Sequence, residues 1–135
     1  IQQLCKSIHV SPFIFFLTVY HLFLCQVYGK RGTIVGVPVN LRRAVKYKGV
    51  IGNFVNLLPI KMESKDGNFV EMLKTVNSTF VEAMLHKRVP YPLMVEQINP
   101  DRDKKDPIFQ TTFNYLSKRT DGDLYMDQSL DVELF

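Results

Sequence analysis

The first 62 residues of this 135-residue chain hold no aspartate or glutamate, although they carry eight lysines and arginines. The shortage of acid is local. Residues 63–135 contain thirteen acidic against nine basic side chains, so the formal net charge of +4 understates how basic the first half is. Lys30, Arg31, Arg42, Arg43, Lys46 and Lys48 fall in one acid-free stretch, which suits a polyanion, an acidic protein or a phosphate-bearing arm, or is simply a hydrated basic loop. No arginine-rich helix, zinc-ligand spacing or aromatic RNA-binding signature accompanies these charges, and nucleic acid is not an expected partner.

Cysteine is also scarce. Cys5 and Cys25 stand far apart among apolar neighbours with no C-x-x-C pair, which argues for reduced, buried thiols in a cytoplasmic protein and against a disulfide framework. The three histidines, His9, His21 and His86, share no ligand spacing, so no metal is expected.

What the chain does have is apolar surface, at 46% of residues, enough for a chain of one-domain length to bury a core. It begins at Ile1 and finishes in the partly apolar, strand-like run Leu130 to Phe135; both ends read as cuts. The longest apolar run, Phe13 to Tyr28, is broken only by Thr18, His21 and Gln26. It falls short of the ~20 apolar residues that a membrane span needs, and it lacks a signal-peptide cleavage site. Ser11 suits the N-cap, Pro12 the first turn and Gly29 the left-handed position after the last turn. These signals predict a core helix over residues 12–28 with His21 as a satisfied core histidine.

Thr33 to Val39 is a β-branched run that predicts a strand, and Pro38 near its end marks an edge or a departure from the sheet. A loop through Asn40 to Lys48 follows, then a second strand over Phe54 to Met62. Asn68 with Glu71 three residues on resembles a capping box, and Phe69, Met72, Leu73, Val76, Phe80 and Met84 repeat at helical spacing, predicting a helix over 69–85. A shorter helix over Pro92 to Ile98 should stop at Asn99-Pro100. Phe109, Phe113 and Tyr115 alternate with polar residues as in a half-buried strand, and Ser117 to Asp123 reads as a turn into a final strand pair. The pattern gives an α/β (α+β) sandwich, one sheet covered by helices.

Five local sequences, in order, carry a family resemblance. Ile51-Gly52-Asn53-Phe54-Val55-Asn56 is similar to the start of the motif (I/V)-G-x-F-V-N-T-x-x-x-R, with Leu57 and Lys61 in place of its Thr and Arg. His86-Lys87-Arg88-Val89-Pro90-Tyr91-Pro92 resembles H-Q-D-x-P-F-E, keeping His86, Pro90 and an aromatic at Tyr91 while losing both acids. Arg102 to Pro107, followed by Phe109-Gln110, resembles R-D-x-S-R-x-P-(L/I)-F-Q, one residue shorter. Val35 to Val39 with Arg42 is similar to V-G-x-P-V-x-x-R, and Ser11-Pro12-Phe13 to the start of a T-P-F helix. Together they resemble the C-terminal half of a nonribosomal peptide synthetase condensation domain, with residues 1–135 as that half-domain.

The resemblance implies a chloramphenicol acetyltransferase-like half domain facing an N-terminal half across a tunnel. Carrier proteins present aminoacyl or peptidyl thioesters there on phosphopantetheine arms, and an adenylation domain belongs to the same assembly line. It also implies that the H-H-x-x-x-D-G motif lies in the other half, and this sequence contains none. The expectation is therefore no catalytic residue and no cofactor bound by the chain itself, no membrane, and a wall of the channel from Gly36, Pro38, Asn40, Arg42, Gly52, Phe54 and Asn56. Gly36, Pro38 and Gly52 are candidate backbone-approach positions or ordinary turn residues. Asn56 is either a hydrogen-bonder near the tunnel or an amide that holds backbone together. His86, Pro90, Arg102, Asp103 and Pro107 are read as structural, Arg102 and Asp103 fixing the loop before Phe109. Pro38-Val39-Asn40-Leu41-Arg42 also fits the P-V-x-L-R segment of wax ester synthase-like acyltransferases. A non-catalytic remnant that binds carrier protein is the remaining alternative.

Overall fold

The structure, a computed structural model, describes residues 1–42, 47, 49–64, 67–98 and 108–116. Its elements run α1 (Gln2–Ser7), α2 (Pro12–Tyr28), β1 (Gly32–Asn40), β2 (Val55–Glu63), α3 (Phe69–Leu85) and α4 (Tyr91–Ile98). The short α1 has no counterpart in the expected elements; it is pinned by Cys5, which is 2% exposed.

The ends of α2 are set by local chemistry. Ser11 Oγ accepts the Ile14 N–H at 3.2 Å, Pro12 occupies the first turn, and Gly29 closes the helix at φ 60°, a conformation a side chain would strain. Ile14, Leu17, Thr18, His21 and Leu24 form its buried face, and Val19, Phe23 and Val27 an outer stripe open to solvent. Among the described residues, no helix is long and apolar enough to cross a membrane. The same side chains cover a sheet instead.

That sheet is an antiparallel pair with Val35 opposite Ile60 and Val37 opposite Leu58. Alternation along each strand puts Val35, Val37 and Val39 on one face with Leu58, Ile60 and Met62, all nearly dry. α2 and α3 close over this face, α3 contributing Leu73 and Val76. Burying an aliphatic side chain of this size contributes about 1.5–3 kcal/mol.

Gly36 points to the opposite face. A Cβ there would run into the Phe109 ring, so only glycine lets that ring lie against β1, and the Tyr91 ring from α4 packs on it at 5.1 Å between centroids. Its backbone also joins a third segment: Gly36 N–H donates to Thr111 O at 2.9 Å and Phe113 N–H donates to Gly36 O at 2.8 Å. This pairing is parallel, so the sheet is mixed. The strand expected over Phe109 to Tyr115 contracts to this one bridge; beyond Phe113 the next bond of a parallel ladder needs an N–H from residue 38, and Pro38 has none. Pro59 lies opposite Gly36. Since Gly36 directs its polar backbone groups to the third segment, Pro59's missing N–H leaves no gap in the β1–β2 ladder.

Asn68 caps α3, its Oδ1 accepting the Glu71 N–H at 2.9 Å. Glu71 answers through Asn68's side-chain amide at 3.1 Å and not through its backbone N–H. The expected turn at Ser117 to Asp123, the final strands and the stop at Asn99-Pro100 lie outside the described residues.

His21 joins α2 to β1 and to Ser64, the residue that follows β2. It is fully buried; Nδ1 meets Thr33 Oγ1 at 2.7 Å and Nε2 meets Ser64 Oγ at 3.2 Å. Both partners are hydroxyls that either donate or accept, so a neutral imidazole is satisfied. Burial pushes its pKa below the ordinary histidine value. The unfolded chain therefore takes up this proton first, and the stability contributed by His21 is complete above about pH 6.5 and is lost as pH falls below it. Denaturant titrations from pH 7.5 to 5.5 should show that loss, with a slope that for one proton is at most about 1.4 kcal/mol per pH unit, and His21→Gln should flatten it. An imidazole titrating above pH 6.5 in the native protein, followed by NMR, is the contrary result.

Candidate functional site at one end of the sheet

The channel candidates converge where β1 ends and β2 begins. Asn40 pairs with Val55, Val39 with Asn56 and Pro38 with Leu57, and Leu41 N–H donates to Phe54 O at 2.8 Å to continue the ladder. Asn40 Oδ1 accepts the Arg42 N–H at 2.7 Å, turning the chain out of β1. Gly36 lies deeper, beneath Phe109.

Arg42 organises the loop that follows. Its Nη1 donates to Tyr47 O at 3.0 Å and Val50 O at 2.6 Å, and its Nη2 to Gly52 O at 3.2 Å. The guanidinium also sits 4.2 Å from the Phe54 ring centroid, a cation–π contact. A planar fork of donors does this; a lysine ammonium would not. At Gly52 a Cβ would meet only Phe54 Cε2, at 3.7 Å, so the position has room for a side chain. What Gly52 supplies is a carbonyl.

Asn56 ties two distant motifs together. Its Nδ2 donates to Lys87 O at 2.9 Å and Val89 O at 2.7 Å, and its Oδ1 accepts the Tyr91 N–H at 3.1 Å. The amide thus holds the His86 to Pro90 turn against β2 and supplies the first-turn acceptor for α4. Of the two readings the sequence left open, backbone support is the geometry observed. Nothing in the local sequence of α4 identifies this cap, because it comes from 35 residues away. His86 side chain is exposed, and its N–H donates to Ala83 O at 3.0 Å to end α3. Pro90 O accepts the N–H groups of Leu93 and Met94. Arg102, Asp103 and Pro107 lie outside the described residues, as do Arg43, Lys46 and Lys48.

A cleft of about 340 Å³ opens beside Pro38, lined by Phe13, Val37, Phe80, Phe113, Asn114 and Tyr115 among others. It exists because the parallel pairing stops at Pro38 and the chain beyond Phe113 departs from β1. Tilted aromatic pairs hold its walls: the Phe13 ring lies 4.9 Å from Phe80 and 5.7 Å from Phe113. Among the described residues no group of His, Cys, Asp and Glu is arranged to hold a metal ion.

Residues 1–132 match the family model described as "Condensation domain". The chain belongs to the condensation-domain family. Relatives of this condensation-domain chain include surfactin synthase subunit 1 of Bacillus subtilis (strain 168), 30% identical over 124 residues that make up 90% of this chain and 3% of that protein. A polyketide synthase-nonribosomal peptide synthetase of Pyricularia grisea is 30% identical over 117 residues, 85% of this chain and 3% of its own length. Among solved structures, the condensation domain of Monacolin K polyketide synthase aligns with TM-score 0.73 and 28% identity, over 82% of this chain and 27% of that one. A four-domain nonribosomal peptide synthetase bound to AMP and glycine shares the fold at TM-score 0.76 and 21% identity, over 82% of this chain and 8% of its own. The mixed α/β fold read from the sequence is the fold of these condensation domains. The chain spans about a quarter of the Monacolin K synthase domain and only a few percent of the curated relatives.

Substitutions at two residues test the frame. Asn56→Ala removes three hydrogen bonds and should cost about 2–3 kcal/mol in chemical denaturation. Asn56→Asp, isosteric, should cost at least as much, because its carboxylate would face the Lys87 and Val89 carbonyls; near-neutral behaviour would show the amide is dispensable. Tyr91 Oη is buried without a hydrogen-bond partner among the described residues. Removing an unsatisfied buried hydroxyl avoids a penalty of about 1–3 kcal/mol, so Tyr91→Phe should leave the melting temperature unchanged or raise it. A drop of several degrees would reveal a partner for the hydroxyl.

Proposed function

We propose that this chain forms the wall of a condensation-domain tunnel opposite the half that carries the H-H-x-x-x-D-G histidine. In that tunnel an aminoacyl amine attacks the carbonyl of an aminoacyl or peptidyl thioester, the C–S bond breaks, and an amide forms as the thiol departs on its phosphopantetheine arm. The attacking nitrogen loses its proton to the partner half's histidine, which returns it to the departing sulfur. This chain's share is positioning: a dry, rigid wall that holds two arms in near-attack geometry, an effect worth up to about 7–11 kcal/mol when both sides are in place.

The observation that carries this reading is the convergence of the motif residues on one end of the sheet, with an apolar cleft beside Pro38. Arg42 and Asn56 spend their polar groups on backbone carbonyls and an N–H, as side chains that shape a wall do. The cleft's aromatic lining with Asn114 at its rim suits a thin, amide-bearing arm. The family match favours peptide-forming chemistry over the wax ester synthase reading. The implied partners are the N-terminal half, carrier proteins and an adenylation domain, in a cytoplasmic assembly line.

The assay offers two loaded carrier proteins to the chain alone and then to the chain mixed with an N-terminal half, with dipeptidyl thioester followed by mass spectrometry. Alone, the chain should stay at the spontaneous aminolysis rate; paired, it should turn over, since a positioned general base contributes about 10²- to 10⁴-fold. Turnover by the chain alone that His21→Ala or His86→Ala abolishes would move the catalytic centre into this half. Absence of turnover in the pair, with both halves folded, would leave the chain a non-catalytic remnant.

A further inference from the structure

The cleft beside Pro38 is walled by rings that the core leaves partly uncovered. Val37 and Val39 are buried there, whereas Phe13, Phe80 and Phe113 pack against the core and stay half-buried. Each ring comes from a different element: Phe13 from the first turn of α2, Phe80 from α3 and Phe113 from the third segment. Tyr115 joins them with its ring stacked on Phe16 at 5.6 Å. The cleft is thus bounded by side chains that packing elsewhere holds in place.

None of the residues that line it carries a carboxylate, ammonium, guanidinium or imidazole. A charged group entering would lose water and gain no counter-charge, so the cleft rejects it. The polar amide and hydroxyl groups here belong to Ser11, which already caps α2, and to Asn114. Asn114 is exposed, and its amide has no hydrogen-bond partner among the described residues. At about 340 Å³ the cleft is near the lower end of the roughly 300–1,000 Å³ that ligand clefts span. That suits one ring-sized group and not a long chain.

We propose that this cleft is a side-chain subsite: it takes the side chain of one of the two joined residues, apolar and about the size of one aromatic ring, and turns charged side chains away. The inference rests on the function proposed above and names its substrate class. Phe80 limits the size of the group that enters, and the surrounding rings contact it by edge and face. Asn114 remains at the rim, where it sets the polarity of the entrance.

The test uses the paired protein of the condensation assay and loads each carrier in turn with phenylalanine, naphthylalanine, lysine or aspartate. At one of the two carriers kcat/KM for phenylalanine should exceed that for lysine and aspartate by at least roughly tenfold, and naphthylalanine should lose roughly tenfold against phenylalanine. Phe80→Leu, which shortens the same wall, should recover naphthylalanine at that carrier and leave the order at the other carrier unchanged. Asn114→Asp, at an exposed position outside the core, should raise kcat/KM for lysine and lower it for aspartate, and the change should shrink as salt screens it. Melting curves check that both variants fold; were Phe80→Leu unstable, Asn114→Asp decides alone. If the pair condenses all four residues equally at both carriers and neither variant alters the order, the cleft is a packing gap: the subsite is wrong and the function stands. A preference for lysine or aspartate over phenylalanine at both carriers likewise overturns the subsite. If the folded pair condenses none of the four, the proposed function fails and the subsite with it.

Discussion

Three hydrogen bonds from the Asn56 amide decide where α4 begins and how the turn after α3 is held. Both amide hydrogens go to carbonyls, at Lys87 and Val89, and the amide oxygen takes the Tyr91 N–H. No other side chain of that size serves: Asp lacks the donors and Gln reaches too far. Tyr91 in turn lies against Phe109, and Phe109 against Gly36. One amide on β2 therefore sets, through two rings, what covers the second face of β1.

β1 is where the two faces and the two edges of the sheet meet. Its odd-numbered residues from Val35 to Val39 belong to the helical core, and Gly36 gives its space to a ring and its backbone to the third segment. Two residues later Pro38 ends the parallel pairing. A glycine that permits close approach and a proline that forbids the next hydrogen bond thus produce both the packed centre and the open cleft. A side chain at position 36 would displace Phe109. An N–H at position 38 would let the third segment continue alongside β1 and narrow the opening.

Much of this was legible from the residues. Ser11, Pro12 and Gly29 bracket α2, and Asn68 with the 3.6-residue spacing delimits α3, because caps and periodicity act within one or two turns. The strand pair followed from β-branched runs. The contraction of the third strand was not legible, since period-2 alternation at Phe109 to Tyr115 reports burial and says nothing of whether the neighbouring strand offers donors. The cap of α4 and the loop clamp of Arg42 were hidden for a related reason: each joins residues whose proximity exists only after β1 and β2 pair. Arg42 and Asn56 stood out in motifs, but the motif alone assigned them to a channel, and their observed partners are backbone.

The missing acids of the first 62 residues bear on both interior and surface. A buried histidine with no carboxylate nearby is held most economically as the neutral ring, and His21 is given two hydroxyls and a thiol at 3.7 Å, partners that make no demand for charge. Arg42 cannot shed its charge, so it is stabilised by carbonyl dipoles and the face of Phe54. Dipoles and a quadrupole stabilise a cation without cancelling it. Had Arg42 been paired with glutamate, the loop would be equally fixed and the end of the sheet electrically neutral. Among the described residues Arg42 has no carboxylate partner, so the carbonyls and the ring that hold the loop are also what stabilises its charge.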